Sequence, residues 1–299
     1  MQASPPVPAQ GSLLARGQLA LAMLLAGSSV VLTKIISGSI PPFLANVLVL
    51  LPATAVLLAL CLWREGGVRV PPGAWRPLLL QALCGVVLFR VFLFYGLPLT
   101  SAASAGILTS TVPAVTALLA WAVLRERPGA RGWMGVLLTG LGVLVLTVPG
   151  SSAGAGPHPL LGNLLVLGAV AGEAAWNVLS KLTSARVSPL TATTLVTLLA
   201  LLMFVPLALP EVPAFDPRGL RPADGLAILV YALGATVLAY LLWFAGVRRV
   251  SAGTAAVSTG WLPVSAVALS ALVLGEPLTV WHALGLGCVL CATFVLARP

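Results

Sequence analysis

Charged side chains are scarce in this sequence. Only 8% of its 299 residues are Asp, Glu, Lys or Arg, whereas 59% are apolar, and the mean hydropathy is +1.07. A water-soluble domain carries about 25% charged residues, so this composition excludes that class and predicts that lipid surrounds most of the chain. The net charge of +9 then indicates arginines in cytoplasmic loops rather than a nucleic-acid-binding surface.

Histidine and cysteine are almost absent, with two and four residues. The sequence has neither the H-E-x-x-H pair of zinc hydrolases nor the G-x-x-x-x-G-K-[ST] loop that binds ATP. All four cysteines lie in apolar runs, and the C-x-x-C spacing of Cys288 and Cys291 has no second pair to complete a zinc site. We therefore expect no metal, no cofactor and no hydrolytic chemistry, and we expect interfacial roles for His158 and His282.

Long apolar runs are what the sequence has instead. A membrane-spanning helix needs about 20 apolar residues, and continuous runs favour helices over barrel strands, which alternate in polarity. We predict an all-α membrane protein with ten transmembrane helices. Their predicted bounds are 17–37, 42–63, 77–97, 100–124, 132–149, 159–183, 189–209, 225–246, 251–274 and 279–297.

Arginines in the predicted loops indicate how the spans are oriented. Cytoplasmic loops carry an excess of Lys and Arg, and placing the N-terminus in the cytoplasm puts most loop arginines on that side. The opposite loops hold only Arg218 and Arg221. Both termini are therefore predicted to be cytoplasmic. The cytoplasmic arginines are then Arg16, Arg64, Arg69, Arg76, Arg125, Arg127, Arg131, Arg186, Arg248, Arg249 and Arg298.

One stretch of the sequence occurs twice, offset by 150 residues without a gap. A second offset, of 147, relates span one to span six, where Thr33-Lys34 corresponds to Ser180-Lys181. Because five is odd, two repeats of five spans enter the membrane from opposite sides. Inverted repeats of this kind are typical of secondary transporters, whose substrate binds near the bilayer midplane. The pairs at the offset of 150 are Gly96 and Gly246, Ser101 and Ser251, Thr109 and Thr259, Pro113 and Pro263, Glu126 and Glu276, and Gly135 and Gly285.

The repeat divides the chain into four parts. Residues 1–16 are rich in Pro, Ala and Gln and are predicted to be disordered. The first five-helix repeat covers residues 17–149, and the second covers residues 159–297. A linker rich in Gly and Ser covers residues 150–158 between them.

The repeated residues resemble those of the drug/metabolite transporter superfamily, EamA type. The resemblance rests on the Thr33-Lys34 and Ser180-Lys181 ends of spans one and six, and on the Pro…Leu-x-Glu-x…Gly run of each half. It covers the chain after residue 16 and implies ten helices in two inverted repeats. Within the superfamily, the chain resembles bacterial amino-acid exporters, including the YddG-like aromatic amino-acid exporters.

Three charged side chains lie inside predicted spans: Arg90 in span three, Glu173 in span six and Lys34 near the end of span one. A charge at mid-bilayer costs about 2.5–3.5 kcal/mol on insertion scales, so such residues are candidate functional sites. Lys34 also fits a structural role, since its long side chain can reach the membrane interface.

One face of span six carries several polar groups. Residues at positions i, i+3, i+4 and i+7 of a helix share a face. This face is interpreted either as the wall of a substrate cavity or as the site of a buried ion pair between Glu173 and Arg90 or Lys34, which would fix helix packing. The residues on it are Glu173, Trp176, Asn177 and Ser180.

Span nine has a second polar face, which includes Ser258 and Trp261. A helix break at Pro263 would free carbonyls for a substrate, but small polar residues also mediate ordinary helix packing in membranes. Tyr95 and Tyr240 are further candidates for a pocket wall, although both lie near helix ends, where aromatic belts occur.

The remaining repeated residues suggest structural roles. Glu126 and Glu276 follow helix ends and are predicted to cap or contact the helix that comes next. Small residues in spans five and ten, such as Gly135 and Gly285, permit close helix approach. We expect a homodimer to form through these two spans.

The residues and the resemblance together predict a secondary transporter of the inner membrane that exports amino acids, aromatic or neutral, or similar small metabolites by alternating access. Arg90 or Lys34 would bind the carboxylate, Glu173 the ammonium group, and Trp176 or Trp261 the side chain. Facilitated flow and proton antiport both stay open. The alternatives are export of aromatic or cationic drugs, a membrane enzyme acting on lipids, which would need a catalytic cluster, and a structural or receptor role, which would not explain the repeat.

Overall fold

The computed structural model describes residues 13–68, 70–124, 129–147, 156–184, 186–247, 249–250 and 252–297. Every regular element within these ranges is helical. The α-helices, in chain order, are α1 (Leu13–Ser37), α2 (Pro42–Glu65), α3 (Trp75–Gln81), α4 (Phe89–Gly96), α5 (Ala102–Thr109), α6 (Val112–Leu124), α7 (Ala130–Thr147), α8 (Pro159–Ser184), α9 (Pro189–Ala208), α10 (Pro222–Leu229), α11 (Ala239–Val247), α12 (Ala252–Ser258), α13 (Trp261–Leu274) and α14 (Val280–Ala297).

Much of the helical structure has the length and composition of membrane spans. Within the described ranges, seven helical segments are long and apolar enough to cross a membrane, and α7, α13 and α14 are shorter apolar helices. Many large apolar side chains on the outside of the bundle are exposed, among them Leu137, Leu202 and Leu272. Water would penalise such a surface and lipid does not, so the protein is a multi-pass membrane protein.

Some predicted boundaries fall elsewhere in the structure. Helix α1 begins at Leu13, so residues 13–16, which were predicted to be disordered, form its first turn. The rest of the predicted disordered segment, residues 1–12, lies outside the described residues. So do residues 150–155 of the linker and Glu126.

Two π-helical segments interrupt the third and eighth predicted spans. Ala82–Leu88 joins α3 to α4, and Val230–Leu238 joins α10 to α11. The offset of 150 that relates the two sequence halves superimposes the first segment on the second. Arg90 and Tyr240, which are also 150 residues apart, each follow their π segment by two residues. Such i→i+5 segments are rare and are frequently found at functional sites.

The fourth and ninth predicted spans are each split into two helices. Residues 110–111 separate α5 from α6, and residues 259–260 separate α12 from α13. Pro113 and Pro263 lie in the first turns of the second helices. Proline is tolerated there because the first N–H groups of a helix have no intrahelical partner. The breaks therefore keep each proline out of a helix interior.

Helices α2 and α9 pack side by side in opposite directions. Glu65, at the end of α2, accepts hydrogen bonds from the Ser188 hydroxyl just before α9, the shorter at 2.7 Å. Glu211, just after α9, accepts the backbone N–H of Leu44 in α2 at 2.8 Å. Each helix thus presents a carboxylate to the N-terminus of the other, where a negative charge is favourable.

Helices α7 and α14 also pack in opposite directions, at close range. A Cβ added at Gly135 would lie 2.5 Å from the Leu296 Cγ, and one added at Gly285 would lie 3.2 Å from the Leu146 side chain. Glycine is needed at such positions because it lets two helix backbones approach. These two glycines of the predicted fifth and tenth spans therefore face each other's helices within one chain.

The two halves of the sequence are interleaved in the bundle. Helix α1 packs against α11 and α13, whereas α8 packs against α4 and α6. The Ser265 hydroxyl donates to the carbonyl oxygen of Leu24 at 2.7 Å, which ties α13 to α1. A Cβ added at Gly172 would lie 2.5 Å from the carbonyl oxygen of Cys84, so α8 lies close against the first π segment. Each half thus contributes a long helix that packs against the other half.

Candidate functional site

A cleft of about 430 Å³ lies between the end of α2, the start of α9 and α11. Gly246, near the end of α11, packs against Leu19 in the early part of α1. The cleft therefore opens at the end of the bundle where α1 begins. Its walls include Arg64, Glu65, Thr193, Tyr240, Phe244 and Arg249.

Two aromatic rings line this cleft, and a third ring packs against one of them. Tyr240 on α11 meets Trp176 on α8 edge to face, with ring centroids 6.5 Å apart, and the Phe244 ring lies 5.8 Å from Tyr240. A side chain at Gly85 would collide with the Trp176 indole, so this glycine lets the ring pack against the first π segment. The structure thus brings the predicted residues Trp176 and Tyr240 together from opposite halves of the sequence.

Glu173 lies one helical turn before Trp176 and is half-buried. Glu173 and Arg90 both lie within electrostatic range of the Tyr240 hydroxyl. Among the described residues, Glu173 has no ion pair or hydrogen bond to Arg90 or Lys34. The buried pair considered as an alternative is therefore not formed in this conformation, and Glu173 is not among the residues that line the cleft.

Arg90 is buried and is engaged by two other elements. Its guanidinium donates to the Asn46 side-chain oxygen of α2 at 3.3 Å and lies 4.5 Å from the centre of the Tyr231 ring in the second π segment. Beside it is a cavity of about 10 Å³, which Thr33 also lines. A space of this size holds about one water molecule. Arg90 therefore faces α2 and the π segment, not the cleft.

Asn177 and Ser258 have local partners. The Asn177 amide donates to the Thr116 hydroxyl at 3.4 Å, which links α8 to α6. The Ser258 hydroxyl donates to the Thr254 carbonyl oxygen of its own helix at 2.9 Å. Trp261 and Tyr95 are each 48% exposed on the outside of the bundle. The structure does not bring these four predicted residues to the cleft.

Lys34 lies at the other end of α1, away from the cleft. Its ammonium group donates to the Glu276 carboxylate and to the carbonyl oxygen of Thr100, each at 2.7 Å. The same carboxylate accepts the backbone N–H groups of Ala102 at 2.9 Å and Ala103 at 3.1 Å. Glu276 thus caps α5, whereas the sequence predicted a cap or contact for the helix that follows it. The physical reason is that α5 presents free N–H groups to it.

A buried histidine adjoins this ion pair, and sequence reasoning missed its role. The His282 Nε2 atom lies 3.1 Å from the Ser104 hydroxyl and 3.3 Å from that of Ser101, both at the start of α5. Its Nδ1 atom accepts the backbone N–H of Thr279 at 3.1 Å. A neutral ring then carries its proton on Nε2 and donates it to a serine. Nothing in the sequence pointed to His282 as the partner of these two serines.

Comparison with known proteins agrees with these observations. The sequence profile of the EamA-like transporter family matches residues 14–148 and 160–298. The uncharacterized transporter YetK of Bacillus subtilis (strain 168) is 40% identical over 282 residues, which cover 93% of this chain and 84% of that protein. An uncharacterized transporter of Archaeoglobus fulgidus is 26% identical over 267 residues, which cover 89% of this chain and 91% of that protein.

A solved structure shows the same fold. It is described only as the crystal structure of a protein, and it aligns with a TM-score of 0.66 and 21% identity over 94% of this chain and 96% of its own. The family profile matches each half of the sequence separately, and the relatives bear the names of transporters. The expectation of a transporter rather than an enzyme is confirmed. The chain belongs to the EamA-like transporter family, within the drug/metabolite transporter superfamily.

Proposed function

We propose that the protein is a secondary transporter of the inner membrane that exports amino acids, aromatic or neutral, or similar small metabolites by alternating access. The observation that carries this proposal is the position of Glu173. Glu173, half-buried and without an ion pair among the described residues, lies one helical turn from Trp176, whose ring meets Tyr240 in the wall of the cleft. Intramembrane carboxylates in transporters mark substrate or proton pathways.

The proposed topology is ten spans in two inverted repeats of five, with both termini in the cytoplasm. The opposite directions of α2 and α9, and of α7 and α14, support it, because these pairs hold the same places in the two sequence halves. The matching π segments support it as well. In this topology, the three shorter apolar helices complete spans five, nine and ten.

The proposed orientation places the mouth of the cleft in the cytoplasm, since it opens where α1 begins. An exporter has to load its substrate from that side. Pockets for small molecules span roughly 300–1,000 Å³, so a cleft of about 430 Å³ has room for an amino acid. The structure then corresponds to the loading conformation.

In this proposal, charged side chains of the protein interact with the charged groups of the substrate at two different places. Arg64 and Arg249 in the walls near the mouth attract a carboxylate by their field. The Tyr240 ring in the wall packs against an apolar or aromatic side chain. Glu173 and Trp176 do not line the cleft in this conformation, so in this proposal Glu173 binds the ammonium group in a later step. Arg90 takes the carboxylate only after it leaves Asn46, so its role belongs to a later step.

Export of aromatic or cationic drugs is the second candidate function. The same aromatic rings and Glu173 would suit an aromatic cation through cation–π contact and ion pairing. The mouth arginines oppose it, because they repel a cation before it reaches the carboxylate. We therefore rank a zwitterionic or neutral substrate first.

Association of two copies through spans five and ten is also proposed. Gly135 and Gly285 are used within the chain, but Gly140 on α7 and Gly287 on α14 have nothing within 4 Å of an added Cβ. Small residues on the outside of a membrane helix permit close approach of a second copy. Cross-linking at these two positions in native membranes would test it.

The first experiment is flux in proteoliposomes that contain only the purified protein. Labelled tryptophan, phenylalanine and threonine are tested without a gradient and then with an imposed pH gradient, against a labelled aromatic cation. Saturable uptake of an amino acid without a gradient is the expected result and indicates a facilitator. Uptake that requires the pH gradient indicates proton antiport. Uptake of the cation alone contradicts the amino-acid proposal in favour of drug export.

A further inference from the structure

The end of the bundle opposite the cleft is closed by a charged contact. We propose that Lys34 and Glu276 form a gate on the start of α5, and that they release α5 when the transporter opens at this end. We call these two side chains, with Thr100, Ala102 and Ala103, the α5 latch. The inference rests on the proposed alternating access, since only a protein that opens on both sides needs such a gate.

The α5 latch joins elements that are far apart in the sequence. Lys34 is on α1, and Glu276 lies just beyond α13. Their side chains lie 2.7 Å apart. Together they form three hydrogen bonds of 2.7–3.1 Å with backbone groups at and just before the start of α5. Helices α1 and α13 are themselves tied by Ser265 and Leu24. One side of the gate is therefore the α1–α13 pair and the other is α5.

Tightly packed apolar residues lie directly beneath the α5 latch. Val30 and Val31 on α1, about one turn below Lys34, are buried against Leu97 and Ile107 in one cluster. No pathway for a hydrated substrate passes through this cluster, because its members are almost wholly inaccessible. Access from this end requires that the residues of this cluster move apart. The α5 latch lies between the cluster and this end of the bundle.

The chemistry of the α5 latch allows it to open reversibly. The Lys34 side chain is 22% exposed and that of Glu276 is 8% exposed, so both charges lie near water, which can take over their hydrogen bonds. For a pair of this kind, the attraction between the two charges is nearly offset by the free energy of removing them from water. Helix α5 also keeps a cap when Glu276 leaves, because the Ser101 hydroxyl accepts the Ser104 N–H at 3.0 Å. The helix start therefore stays formed while the gate opens.

The test measures opening without using transport. A Val31→Cys reporter is placed in the full-length protein in lipid nanodiscs, and its reaction with a membrane-impermeant maleimide is read by mass spectrometry of the peptide holding residue 31. Glu276→Gln and Lys34→Met are each combined with the reporter. The matched control is Asp224→Asn, which breaks a different ion pair at this end, between Arg221 and Asp224 at 2.8 Å. Size-exclusion profiles confirm that each variant is folded.

We expect Glu276→Gln and Lys34→Met each to raise the labelling rate about tenfold or more, since hydrogen bonds to charged groups shift an equilibrium by at least that factor. Asp224→Asn is expected to leave it unchanged. Unchanged labelling in both latch variants would overturn the proposal that Lys34 and Glu276 form a gate. An equal rise in Asp224→Asn would also overturn it, because it would show that any lost ion pair at this end exposes residue 31. The readout is separate from flux. Raised labelling in a protein that moves no tested substrate keeps the gate and rejects the proposed substrate class.

Discussion

The Lys34 Nζ atom lies 2.7 Å from the Glu276 Oε1 atom, although 242 residues separate the two in the sequence. Each residue has a counterpart in the other repeat: Lys181 corresponds to Lys34, and Glu126 corresponds to Glu276. The contact therefore joins two repeated elements, one from each half of the chain. It uses Lys34 away from the cleft, and Glu173 has no ion pair among the described residues.

Neutralising Glu173 is expected to reduce transport with the fold intact. Glu173→Gln keeps the shape of the side chain but loses the charge that binds an ammonium group, which is worth about 1.5–3 kcal/mol, or roughly tenfold or more in affinity. Initial flux in proteoliposomes at low substrate concentration measures the effect. Asp216→Asn, an exposed acid outside the helices, is the control and should keep the wild-type rate. Wild-type flux in Glu173→Gln would remove this residue from the site.

Removing the mouth arginines is expected to weaken binding of carboxylate substrates. Arg64→Gln with Arg249→Gln should raise KM several-fold and flatten its dependence on salt, because long-range attraction at the mouth is screened by ions. Arg218→Gln, an exposed arginine outside the cleft, serves as the control. A KM that stays constant across substrates and salt concentrations would show that the mouth does not select for charge.

A methyl group at Gly85 is expected to lower the stability of the folded protein. The added Cβ would collide with the Trp176 ring, and overpacking of this kind destabilises a protein by about 1–3 kcal/mol. Gly85→Ala should lower the thermal unfolding midpoint in detergent and displace Trp176, which is visible in its fluorescence. At Gly140 nothing lies within 4 Å of an added Cβ, so Gly140→Ala is the matched variant and should not destabilise. Equal midpoints for both would contradict the packing described.

Exchanging the charges of Lys34 and Glu276 should not restore stability. Lys34→Glu with Glu276→Lys can rebuild the ion pair, but a lysine at position 276 cannot accept the N–H groups of Ala102 and Ala103. The loss of these two bonds is expected to keep the double variant about 1–3 kcal/mol below wild type. The unfolding midpoints of both single variants and the double variant measure this. Full recovery would mean that the cap on α5 contributes nothing.

Parts of the site could be predicted because they depend on local spacing. Glu173, Trp176 and Asn177 were placed on one helix face by the period of the α-helix, and Pro263 indicated the helix break that the structure has just before it. The π segments were not predicted, since a π turn differs from an α turn by one hydrogen-bond register. Residues 82–88 and 230–238 are as apolar as their neighbours and give no local signal.

The sequence by itself determined that lipid surrounds most of the chain, that its two halves repeat, and that the protein is a membrane transporter. Composition, hydrophobic periodicity and repeated residues can be recognised without knowing which helices touch. The sequence also identified Lys34, Arg90, Glu173 and Tyr240 one by one. Only the tertiary structure decided their partners: Glu276 for Lys34, Asn46 and Tyr231 for Arg90, and Trp176 for Tyr240. These pairings depend on how close two helices can approach, and that distance is set by residues such as Gly85 and Gly172, whose contacts lie far away in the chain.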